Sequence, residues 1–246
     1  MSEILNLIAE ARGAAFDHRF VDAARHASAV LDRLPTCLVA LRTLAWAQLE
    51  LDDDGALASF QTCAEYDPED ALAHVGQAIW YQNHDQDEAA LGEWVRAWEL
   101  DPENQAIRRG LVKLSGELPD SALADAIALL RAGRHHEAVQ ALLPLRGDVA
   151  VDVALMSAMW NAGAQHDAFE LALSVVAQQP RNTKAALFVA ALEDRNGRTL
   201  RSREAIVRAE QVDPGLTLFG DVVRQVGLQT ALDLHRASRA PVAAAR

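Results

Sequence analysis

The side chains able to do chemistry are few, and their spacing suits none of it. His135 and His136 stand beside Glu137 at an expected helix start. Neighbouring residues on a helix point about 100° apart, so the two imidazoles are poor joint ligands for one metal ion. Asp52-Asp53-Asp54 is a dense carboxylate run, but it lacks the alternating oxygen donors and the glycine of a calcium loop. Acidic residues in that position are expected to cap a helix N-terminus, where they accept from free amides and favour the helix dipole. Cys37 and Cys63 are the only cysteines, too few for a disulfide framework and without metal-ligand spacing, and are expected as small buried side chains in a reducing cytoplasm. There is no glycine-rich phosphate loop, nucleophile elbow or Cys-x-x-Cys pair. The expectation is a chain with no catalytic residue, no metal site and no cofactor, and hence not an enzyme.

Charge narrows the partners. The chain has 246 residues and a formal charge of -12. Between Arg42 and Arg108 the one basic residue is Arg96, against acidic residues that include Glu50, Asp52, Asp53, Asp54, Asp67, Glu69, Asp70, Asp85, Asp87 and Glu88. Such a surface repels phosphate backbones, which argues against nucleic acid. No stretch approaches the roughly 20 apolar residues needed to cross a bilayer, and the N-terminus lacks the pattern of a secretory signal, so no membrane insertion is expected.

The elements that must position any site follow from the prolines. Pro35, Pro68 and Pro102 are 33 and 34 residues apart, and Pro180 and Pro214 are again 34 apart. Proline cannot continue a helix, so each marks a helix end. Between them is room for two helices of about 13 residues and two turns. The clearest unit predicts helices over about 71–83 and 87–100, with small residues at Ala78, Ala90 and Ala97 where the two approach and Tyr81 and Trp94 beside them. His18, His84 and His166 fall in corresponding inter-helix turns, so their recurrence reflects the repeat.

The order and spacing of Ala78, Tyr81, Ala90, Trp94, Ala97 and Pro102 resemble the tetratricopeptide repeat family. The pattern returns in Ala11, Ala14, Phe20, Ala23, Ala27 and Pro35, in Ala56, Phe60 and Pro68, and downstream in Ala126, Gly133, Ala138 and Leu142. It continues through Gly163, Ala168 and Pro180, then Ala190, Gly197, Ile206, Ala209 and Pro214. The resemblance implies an all-α, right-handed superhelical solenoid of antiparallel helix pairs, with about six repeats, an extra helix and a C-terminal capping helix. Pro144 arrives early and predicts a shortened second helix in the fourth repeat. The expected organisation is three repeats over 1–104, a linking helix over 105–119, three repeats over 120–216, then a capping helix interrupted near Gly227 and a frayed tail from Ala237.

In such a solenoid the first helices line a concave groove. The groove-facing residues expected on this alignment are Leu38, Leu41, Arg42, Leu72, Val75, Ile79, Asn83, Leu123, Ile127, Val153, Trp160, Lys184 and Phe188. They are mostly apolar, which suits an amphipathic helix or apolar peptide and not the Lys, Arg and Asn clusters by which some family members clamp a terminal carboxylate. Their packing within the chain itself is the competing reading. A second expected surface is acidic, formed by Asp52, Asp53, Asp54, Glu69, Asp70, Asp85, Asp87 and Glu88, and would steer a basic partner. The function expected is a cytoplasmic scaffold or assembly factor that binds another protein. The alternatives are a peptide-responsive sensor solenoid and, against the acidity and the presence of only Lys113 and Lys184, a helical-repeat RNA binder.

Overall fold

The structure, a computed structural model, describes residues 2–239 and is built of helices. In the first arm α1 (Ser2–Phe16) pairs with α2 (Phe20–Leu31), α3 (Leu38–Glu50) with α4 (Gly55–Tyr66), and α5 (Ala71–Asn83) with α6 (Asp87–Leu100). A single helix, α7 (Gln105–Ser115), follows. The second arm pairs α8 (Ala122–Arg131) with α9 (His135–Leu142), α10 (Val149–Asn161) with α11 (Gln165–Gln178), and α12 (Thr183–Arg195) with α13 (Thr199–Val212). Helix α14 (Gly220–Val226) and α15 (Gln229–Arg239) close the chain, broken at Gly227, whose φ of 76° is left-handed. The expected tail from Ala237 begins inside α15, and residues 240–246 lie outside the described region.

The repeat is written in the caps and turns as much as in the core. Asp70 accepts from Leu72 N and Ala73 N at the start of α5. Asn104, 34 residues on, does the same for Ala106 N and Ile107 N of α7. Asp148 and Asn182 repeat this at α10 and α12. Each satisfies amides that have no intrahelical acceptor. Inside the pairs Ala78, Ala90 and Ala97 are fully buried, as the close helix approach requires. Pro144 shortens α9 as expected, giving way to a 3-10 turn at Leu143–Leu145.

The two arms do not form one open superhelix. Residues 116–120 turn the chain, so that α8 packs back on α6. From there contacts with the first arm run in reverse order along the second. Arg96 of α6 pairs with Asp148 at the head of α10. Lys184 of α12 reaches Glu69 before α5, Arg181 donates to the Tyr66 hydroxyl, and Thr36 before α3 donates to Gln211 O in α13. One hydrophobic cluster contains Leu38, Leu41, Phe60 and Tyr66 of the first arm and Leu155, Phe188, Ile206 and Leu228 of the second. Helix α10, VAVDVALMSAMWN, is buried over nearly its whole circumference, which its all-round apolarity demands.

Candidate functional site

The expected groove is occupied by the chain itself. Leu38, Leu41, Val75, Leu123, Ile127, Val153, Trp160 and Phe188 are all buried. Ile79 is partly buried and packs against the core. Arg42 and Lys184 are engaged in ion pairs with the chain's own carboxylates. Of the thirteen residues expected in the groove, Leu72 and Asn83 are exposed. Returning eight buried apolar side chains to water would cost on the order of 10–20 kcal/mol, comparable with the roughly 5–15 kcal/mol that holds a whole domain together. Opening the arms to admit a ligand therefore amounts to unfolding.

The seam between the arms carries a charged clamp. Arg42 Nε donates to Asp70 Oδ2 at 2.6 Å and Arg42 Nη2 to Asp67 Oδ2 at 2.8 Å. One guanidinium thus fixes the turn between α4 and α5 to α3. Beside it, Glu69 Oε2 accepts from Lys184 Nζ at 2.5 Å, and the Arg181 guanidinium lies 5.3 Å from the Tyr66 ring centroid. Burial and the neighbouring Asp70 push the Asp67 carboxyl up to about 6 in spite of Arg42. Burial likewise raises the Cys63 thiol to about 12 and lifts that of Cys37, so both are held as neutral thiols at neutral pH. A cavity of about 290 Å³ opens at this seam, lined by Glu65, Tyr66, Gln179, Pro180 and Arg181.

Two members of the expected acidic surface therefore belong elsewhere. Asp70 is buried as a cap and an Arg42 partner, and Glu69 is spent on Lys184. The remaining six, Asp52, Asp53, Asp54, Asp85, Asp87 and Glu88, are exposed. They occupy the inter-helix turns of the second and third pairs. The turns are equivalent, since His18, Asp52 and Asp85 take the same left-handed backbone at φ 57°, 56° and 56° and lie 34 and 33 residues apart. Asp85, Asp87 and Glu88 border a depression of about 590 Å³. The cap of α4 comes from Asp53, whose Oδ1 accepts from Gly55 N at 2.7 Å, and not from the N-cap residue Asp54.

The histidines stay apart. His84 stacks on Trp80 at 3.8 Å and its Nδ1 lies 2.8 Å from Trp80 O, while His166 sits in the first turn of α11, inside the helix and not in the turn where it was expected. Among the described residues no three metal-ligating side chains come together, and no helix is long and apolar enough to cross a membrane. Trp160, expected in the groove, is a seam residue. Its Nε1 donates to Gln225 O at 3.2 Å, with the Arg195 guanidinium 4.7 Å from its ring. The sequence reading passed over Arg181 and Tyr66, for which no local pattern gives a signal.

These paired, stacked helices define a tetratricopeptide-like solenoid of helical hairpins, folded back on itself. The fold is similar to the P58(IPK) TPR domain, at 13% identity and a TM-score of 0.41 over 97% of this chain and 67% of that one. It is also similar to a tetratricopeptide repeat protein from Parabacteroides merdae ATCC 43184, at 13% identity and a TM-score of 0.40 over 91% of this chain and 84% of that one. A chain of the Naa15/Naa10 complex bound to HypK-THB is similar at 16% identity and a TM-score of 0.39 over 96% of this chain, which spans 35% of that larger one. No protein-family description matches the chain by sequence, and no curated protein does.

Proposed function

We propose that this chain is a non-catalytic protein-interaction scaffold that takes a basic partner on the outer edge where the helices of its first arm turn, not in its concave face. The reading is carried by the turn residues themselves. A left-handed backbone costs an ordinary L-residue about 1–2 kcal/mol, and glycine adopts it freely. The second arm uses glycine at the matching turns, Gly133, Gly163 and Gly197. The first arm keeps Asp52 and Asp85 there, with Asp53, Asp54, Asp87 and Glu88 beside them. Backbone strain retained at an exposed charged position is the mark of a site with a use for the charge. The edge lies on rigid paired helices, so a partner is met without ordering a loop. The two free thiols suit a reducing cytoplasm.

Asparagine tolerates the same backbone without the charge, and glycine relieves the strain. Asp52→Asn with Asp85→Asn should keep the melting temperature within a few degrees of the parent. Asp52→Gly with Asp85→Gly should hold stability or raise it by up to about 1 kcal/mol. Both pairs are expected to weaken capture of the partner from native extract at low salt, and capture by the parent should fade as salt is raised. Capture by either variant that matches the parent at every ionic strength would refute the acidic edge as the binding surface.

A further inference from the structure

The 34-residue register identifies α7 as the first helix of a repeat whose second helix is missing. Asn104 caps α7 as Asp70 caps α5. Gly110 of α7 lies against the Trp94 ring as Gly76 of α5 lies against the Phe60 ring, and at either position a Cβ would intrude into the aromatic ring. Phe60 and Trp94 are themselves 34 apart, so each second helix drives an aromatic into a glycine of the next first helix. Helix α7 buries Ile107 and Leu111 in this way against α6. Its own second helix never follows, because residues 116–120 divert the chain and α8 packs on α6 instead.

The same register says what the vacant side of α7 is for. On α5 the side turned to its partner α6 includes His74, Val75 and Ala78, and His74 Nδ1 meets Glu93 Oε2 of α6 at 2.6 Å. The corresponding residues of α7 are Arg108, Arg109 and Val112, with Lys113 standing where α5 has Ile79. All four are exposed, and with Leu118 they line a depression of about 360 Å³. Arg108, Arg109 and Lys113 enter no ion pair among the described residues, although Glu103 and Glu117 flank the helix and Arg109 Nε donates to Gln105 O. They make a cationic rim around Val112 and Leu118 in the acidic half of an acidic chain.

We propose that this face of α7 docks an acidic amphipathic helix from a partner protein, which completes the unfinished hairpin. The incoming helix sets a carboxylate opposite Arg108, as Glu93 stands opposite His74, and apolar side chains over Val112 and Leu118. Charge complementarity selects acid, and the hairpin geometry selects a helix over an extended strand. The site goes beyond the acidic edge and has the opposite sign, so the scaffold would hold two partners of unlike charge.

The test is a displayed library of helix-forming peptides of about 16 residues, panned on the full chain. The expected winners carry Asp or Glu flanking apolar residues at helical spacing. They should bind Arg108→Glu with Lys113→Glu at least tenfold more weakly, with an unchanged circular dichroism spectrum, since both residues are exposed. Winners that bind this variant as well as the parent, or no winners, would overturn the assignment, as would a single-stranded oligonucleotide that displaces them, which would make the face a phosphate site. Asp52→Asn with Asp85→Asn leaves α7 untouched, so failure here is separable from failure of the acidic edge.

Discussion

Replacing Phe188 by Ala should lower the free energy of unfolding by about 3–5 kcal/mol, the usual cost of emptying a buried aromatic site. Phe188 is fully buried, and its ring meets Trp160 edge-on with centroids 5.1 Å apart. A loss of that size is a large part of a domain's stability and should appear as a strong fall in the urea midpoint without a change in slope. The measurement separates the two meanings of the residue. A side chain lining an open groove already faces water, and its truncation would cost under about 1 kcal/mol.

Arg42→Ala should cost nearly as much, about 3 kcal/mol at neutral pH, because it leaves two carboxylates in the seam without their cation. The loss should depend on pH in a direction opposite to that of an ordinary surface carboxylate. Asp67 is held up to about 6, above the value near 4 of an unfolded chain, so between those values the native state binds more protons than the unfolded one. Its ionisation therefore opposes folding. The penalty is absent below about 4, grows as pH rises through the window, and is complete above about 6. Removing Arg42, which favours the charged form, widens this window upward. The variant's deficit should be greatest at neutral pH and shrink as the solution is acidified towards 4. Asp67→Asn in the Arg42→Ala background should remove most of that pH dependence. Urea midpoints across the pH range give both slopes, and a deficit that grows on acidification would contradict the assignment of Asp67.

The helix pairs were legible because their signals are local. Proline stops a helix wherever it stands, and alanine at Ala78, Ala90 and Ala97 marks a close crossing whatever surrounds it. The half-length interval from Pro102 to Pro119 gave α7 for the same reason. The return of the second arm was not legible from the groove residues, since Leu38 or Phe188 looks alike whether it awaits a ligand or meets its own chain. One available sign was the segment 149–161, apolar on every side, which no open solenoid could leave on a one-sided helix. Asp70 and Glu69 misled because a carboxylate's sequence neighbours do not say whether Arg42 or Lys184 lies across from it. The acidic turns read correctly as exposed because turn residues have no other arm to meet.

The closure of the arms is open to a direct chemical measurement, because the chain has two lysines, Lys113 and Lys184. A carbodiimide joins an amine to a carboxylate without a spacer, and therefore reports ion pairs in contact. With Lys184 Nζ 2.5 Å from Glu69 Oε2, the dilute native chain should yield an intramolecular Lys184–Glu69 linked peptide. Lys184 should resist amine acylation while the exposed Lys113 reacts. If Lys184 acylates as readily as Lys113 and no peptide spanning these 115 residues is recovered, the arms stand apart, and the concave face is free for a partner after all.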